Sequence, residues 1–146
     1  MYSIILQLHH YIAFIAFGLL AFAAINGIMG TTSEKVFEES NRKINVFALI
    51  STHVMLLLGI ALLLVSPNAQ AAYADMAATM KDSYLRRTFI EHPTTNIIAV
   101  VLATIGNAKS KRAIGHGKKF KTSAIFFGIA FVLVALMMPW SRLFAF

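Results

Sequence analysis

Four long apolar runs constrain this chain more than any other feature of its sequence. They lie at about 3–30, 46–65, 86–107 and 123–140, and polar segments separate them. A helix needs about 20 consecutive apolar residues to cross a bilayer core of about 30 Å, because each residue advances it by about 1.5 Å. The pattern predicts an all-α integral membrane protein. We expect residues 1–146 to form a single transmembrane domain, a four-helix bundle with up-down-up-down topology.

The composition agrees with a membrane protein and excludes several kinds of site. Hydrophobic residues make up 58% of the chain and charged residues 13%, against about 45–50% and about 25% in ordinary soluble domains. Cysteine is absent, which excludes disulfides, cysteine-ligated zinc, iron–sulfur clusters and thiol redox chemistry. The net charge of +7 is interpreted as a membrane-orientation signal rather than as evidence for nucleic-acid binding.

The basic residues are distributed unequally between the two sides of the predicted bundle. Between the third and fourth spans stand Lys109, Lys111, Arg112, Lys118, Lys119 and Lys121, and between the first and second stand Lys35, Arg42 and Lys43. The opposite side carries Lys81, Arg86, Arg87 and Arg142. Because cytoplasmic loops carry the excess of Lys and Arg, this bias predicts that both termini lie outside the cytoplasm.

Three local features refine the spans. No Lys or Arg precedes Lys35, so we expect the first run to be a retained span rather than a signal peptide. Residues 71–84 are mildly amphipathic and predict a helix at the membrane interface or an extension of the third span. Pro93 lacks an N–H and should free the carbonyl of Phe89, so we expect a helix that begins earlier, bends there, and finds another donor for that oxygen.

Ionisable residues inside the apolar runs mark a candidate site, because such groups are costly at membrane depth. His9, His53 and His92 come from three different spans, and Glu91 adjoins His92. The helical rise places His9 and His92 at similar depths, roughly 8–13 Å below the outer surface, and His53 near mid-membrane. Spans one and three are diagonal in such a bundle, so His9 and His92 should face each other across its core.

Two opposed imidazoles suit the iron of one haem b, with one ligand above and one below the ring. Two of the three histidines, His9, His92 and His53, are expected to be the ligands. Arg86 and Arg87 lie at the same end of the bundle and could pair with the haem propionates. Glu91 could accept a ring N–H from a ligand histidine, or a proton from a quinol.

The order of several short motifs resembles small four-span cytochrome b-like membrane proteins of bacteria, especially of the Bacteroidota. These motifs are L-H-H-Y, H-V-M-L-L-L-G, R-x-x-x-E-H-P, I-G-N-A-K-S-K-R and M-P-W-S-R, and together they cover nearly the whole chain. The resemblance implies a b-type haem held by histidines in a bacterial inner membrane, with matching positions at His9, His53, Glu91 and His92. That family often has Arg where this chain has Ala13.

Three functions are consistent with these features. The first is electron transfer, with the quinone pool or a larger redox complex as partner, by a carrier or subunit rather than a stand-alone enzyme. The second is a cofactor-free accessory subunit, consistent with the small size and short loops. The third is copper or zinc handling by His9, His53, His92 and Glu91, since imidazole suits both metals. The single bundle also leaves homo-oligomerisation open, and membrane lipids are partners in each case.

Overall fold

The computed structural model describes residues 1–140, and nearly all of them are helical. The helices are α1 (Tyr2–Thr32), α2 (Glu39–Val65), α3 (Pro67–Ala74), α4 (Met76–Lys81), α5 (Ser83–Arg86), α6 (His92–Arg112) and α7 (His116–Met137), with a π-helical turn at Arg87–Glu91 between α5 and α6. No strand occurs in this described part of the chain. Arg142, which we assigned to the side opposite the basic loops, and the rest of residues 141–146 lie outside it.

Four of the helical stretches are long and apolar enough to cross a membrane, which confirms the all-α four-helix fold. They are Tyr2–Thr32, Glu39–Val65, Ser83–Arg112 and His116–Met137. The first packs against the second and fourth, and the third also packs against the second and fourth, so spans one and three lie on a diagonal. The chain is therefore a multi-pass membrane protein with the expected topology.

The helices extend further than the apolar runs. The connection between α1 and α2 covers only residues 33–38, and the turn between α6 and α7 covers only residues 113–115. Gly115 makes that turn with a φ of 96°, a conformation that costs glycine little. A helix can continue beyond the membrane, because its backbone hydrogen bonds also form in water when its side chains are polar. Hydropathy identifies only the part of a helix that lies in the membrane.

Residues 71–84, predicted as an interfacial helix or an extension of the third span, fall in three short helices, and the last of these, α5, begins the third span. α3 follows α2 directly after Ser66, and side-chain caps from Ser66, Asp75 and Asp82 begin α3, α4 and α5. Each cap accepts a hydrogen bond from a backbone N–H that would otherwise lack a partner. We call the end of the bundle that carries residues 66–82 and the N-terminus the histidine end, and the end that carries 33–38 and 113–115 the basic end.

Packing is tight toward the basic end and open toward the histidine end. Small residues let α1 and α7 approach closely, and a Cβ placed on Gly27 would lie 2.5 Å from the backbone N of Ala124. One face of α6 is buried at Asn96 and at the small residues Ala99, Ala103 and Gly106. By contrast, no residue in 2–15, 56–65 or 83–95 is buried. These three segments are therefore the least buried parts of the membrane-spanning helices at the histidine end.

Candidate functional site

His9 and His92 meet at the histidine end, across the diagonal of the bundle. Their ring centroids are 6.2 Å apart and the rings are nearly perpendicular, at 68°. Both side chains are half-buried, in the part of the bundle where α1 and the third span contribute no buried residue. As predicted from the sequence, these two residues therefore face each other at one level across the diagonal of the bundle.

A backbone carbonyl of another helix orients each ring. His9 Nδ1 lies 3.2 Å from the carbonyl oxygen of Met55 on α2, and His92 Nδ1 lies 3.3 Å from that of Met137 on α7. A carbonyl oxygen can only accept, so each Nδ1 carries the proton and donates. Each Nε2 then keeps a free lone pair, the form in which a histidine binds a metal.

Glu91 is not the acceptor that the sequence led us to expect for a histidine N–H. Its carboxylate accepts a hydrogen bond from Arg86 Nε at 2.9 Å, and both side chains are about two-fifths exposed. The two ring N–H groups bond to backbone oxygens instead. Arg86, five residues before Glu91 and across the π-helical turn, pairs with this carboxylate in place of a histidine.

The two arginines lie at the histidine end and are tied to the protein. Arg86 Nη1 also donates to the carbonyl of Met80 at 2.8 Å. Arg87 Nη2 donates to the carbonyl of Leu136 at 2.7 Å and its side chain is exposed. Both guanidinium groups are thereby held near the membrane boundary, with donors left over for an anionic ligand.

The π-helical turn lies immediately before α6, and Pro93 lies in the first turn of α6. As predicted, the third span begins before Pro93, and the freed carbonyl of Phe89 has another donor. That donor is the hydroxyl of Tyr73 on α3, at 2.9 Å. Burial raises the pKa of the Tyr73 phenol, so its hydroxyl remains a donor throughout the neutral range. The short helices before the third span thus support the segment that presents His92.

Tyr73→Phe should therefore destabilise the histidine end. The change removes one hydroxyl and leaves the Phe89 carbonyl without its donor, which should cost about 0.5–1 kcal/mol of unfolding free energy because the bond is partly open to solvent. Tyr11→Phe is the control, because Tyr11 is 69% exposed. Unfolding in mixed micelles measures both variants. Equal stability of the two would show that the Tyr73 hydroxyl contributes nothing to this segment.

The remaining histidines do not join the pair. His53 is exposed on α2, where its Nδ1 bonds to the Leu49 carbonyl of its own helix at 2.8 Å. His10 is exposed beside His9, with ring centroids 6.3 Å apart. His116 is exposed at the basic end, and its Nδ1 accepts a hydrogen bond from Phe37 N at 3.0 Å.

Gly59 was not identified from the sequence, although it is next to the candidate site. A Cβ added there would lie 3.3 Å from Cε1 of His9, so the His9 ring lies directly over the backbone of α2. Nothing in the sequence pairs Gly59 with a residue fifty positions away. Only its place in a leucine-rich helical run, where glycine lowers helix propensity, hints at a packing reason.

Comparison with family models, with curated proteins and with solved structures found no match to this chain.

Proposed function

We propose that this protein is a membrane b-type cytochrome in which His9 and His92 would hold one haem. The observation that carries the proposal is the pair of imidazoles from diagonal spans, each with Nδ1–H donated to a carbonyl and Nε2 free. Haem, when bound, supplies a reversible one-electron couple at its iron. The chain would contribute the two ligands and their orientation.

The spacing of the pair fits two nitrogens on one metal. A metal–imidazole bond is about 2.0–2.1 Å, and the centre of the ring is roughly 1 Å further, so two rings on opposite sides of one ion have centroids about 6 Å apart. The observed separation is 6.2 Å. This separation is compatible with both imidazoles binding one ion.

The number of ligands favours haem over a bare copper or zinc ion. Zinc sites take three or four protein ligands. Within residues 1–140, no group of three or more His, Asp or Glu side chains is placed to hold a metal ion. A porphyrin supplies four nitrogens of its own, so two histidines complete six-coordinate iron.

The surroundings support an electron carrier at the periplasmic side of a bacterial inner membrane. The basic end faces the cytoplasm under the positive-inside rule, which puts both termini and the histidine end on the other side. At this end of the bundle, Arg86 and Arg87 would pair with the haem propionates. The electron partner is the quinone pool or a larger redox complex, with Glu91 a proton acceptor for a quinol.

A reduced-minus-oxidised absorption spectrum of the purified protein tests the proposal. We expect the bands of a six-coordinate b-type haem, at one haem per chain. A correctly folded protein that shows no haem bands, even after reconstitution with haemin, would overturn the proposal. The small bundle would then be better described as an accessory subunit.

Gly59→Leu should lower haem occupancy without unfolding the bundle. A leucine side chain would occupy the space of the His9 ring, because even a Cβ at this position is 3.3 Å from its Cε1. Gly128→Leu is the control, since a Cβ there meets nothing within 4 Å. Haem per protein and helical circular dichroism are the measurements. Full occupancy in Gly59→Leu would mean that His9 is not held against α2 in the loaded protein.

A further inference from the structure

A polar cavity of about 290 Å³ lies at the basic end, between the start of α2, the end of α6 and the start of α7. Its wall includes Phe37, Arg42, Asn45, Asn107, Lys111 and Lys119. The volume is just below the roughly 300–1,000 Å³ of ordinary ligand pockets, which suits a small polar group rather than a whole cofactor. The histidine pair is at the other end of the bundle, so this cavity is separate from the site described above.

One buried polar atom in the cavity wall lacks a partner. Asn45 is 1% exposed, and its Nδ2 donates to Ser123 Oγ at 2.7 Å. Its Oδ1 has no hydrogen-bond donor. An unpaired buried amide oxygen costs about 1–3 kcal/mol, so a donor from a bound group would stabilise this end of the bundle.

The charges of the cavity divide into paired and unpaired groups. Glu39 pairs with Arg42, and the Glu38 carboxylate accepts a backbone N–H at the start of α2. Lys119 Nζ donates to the carbonyl of Lys111 at 2.9 Å.

Two side chains of the wall keep their full hydrogen-bonding capacity. Within residues 1–140, neither the Lys111 ammonium nor the Asn107 amide has a hydrogen bond or ion pair. The free groups are therefore one cation, one amide and one buried acceptor.

We propose that this cavity binds a phosphate ester that also carries a hydroxyl or ammonium donor. The phosphate would pair with Lys111 and Asn107, and the donor would bond to Asn45 Oδ1. Lysine is a common partner for phosphate, and the basic end is where a phospholipid headgroup of the cytoplasmic leaflet would lie. A lipid headgroup and a soluble phosphate ester share this chemistry.

Binding of phosphatidylglycerol and phosphatidylcholine to the purified full chain, followed by native mass spectrometry, tests this site. Phosphatidylglycerol carries hydroxyl donors, whereas the choline headgroup has none. We expect phosphatidylglycerol to bind more tightly. Lys111→Gln should weaken that binding about tenfold, the effect of losing one charge-assisted hydrogen bond. Asn107→Ala should also weaken it, and neither change removes a contact that holds the fold.

Lys118→Gln is the matched control, because Lys118 is an exposed lysine of the same end that does not line the cavity. We expect its binding to be unchanged. Competition by glycerol 3-phosphate would identify a soluble ester as an effective ligand, and lack of competition would identify the lipid. Equal weakening by Lys111→Gln and Lys118→Gln, or equal binding of the two lipids, would overturn the proposal. Neither result bears on the haem site.

Discussion

His92→Ala and His9→Ala should each leave the protein almost without haem. Each substitution removes one free Nε2 from the pair whose ring centroids are 6.2 Å apart. Loss of a ligand-orienting partner alone costs about 10–100-fold in metal affinity, so loss of a ligand should reduce bound haem to below roughly a tenth of the wild-type level. Haem per chain and the reduced-minus-oxidised spectrum measure the effect.

His53→Ala is the control for this experiment, because His53 lies in an apolar span but is exposed and bonded to its own helix. We expect it to keep full haem occupancy, as we do for His116→Ala at the basic end. Retained haem in His92→Ala, with normal spectrum and helicity, would contradict the assignment of that ligand. Loss of haem in His53→Ala would instead restore His53 as the partner that the sequence left open.

Gly27→Ala should destabilise the bundle. The new Cβ would lie 2.5 Å from Ala124 N, 2.8 Å from Ala124 Cα and 2.9 Å from Phe120 O. These atoms belong to the backbone of α7 and cannot move by a change of rotamer, so α1 and α7 must separate. We expect a loss of about 1–3 kcal/mol in unfolding free energy. Gly27→Leu should prevent correct assembly.

Gly18→Ala on the same helix controls for helix propensity, because a Cβ there meets nothing within 4 Å. Alanine favours a helix over glycine by about 1 kcal/mol in water, so this variant should be neutral or slightly more stable. Denaturant titration in mixed micelles compares the variants. Similar stability of Gly27→Ala and Gly18→Ala would show that α1 and α7 do not approach so closely in the folded protein.

The local chemistry of individual residues accounts for what could be predicted. Pro93 has no N–H wherever it stands, so a freed Phe89 carbonyl followed from the sequence, whereas its donor Tyr73 did not. Likewise, Glu91 beside His92 pointed to a histidine–carboxylate contact. In the folded chain Arg86 donates a hydrogen bond to that carboxylate instead. This contact depends on the π-helical turn between the two residues.

The sequence by itself determined four membrane-crossing helices, their alternating directions and the shared depth of His9 and His92, because run length and helical rise are local quantities. Only the tertiary structure decided that these two rings meet while His53 faces outward. The reason is rotational: the direction in which a side chain points depends on how each helix turns about its axis. Contacts such as Gly27 against Ala124 set that rotation, and they join residues far apart in the chain.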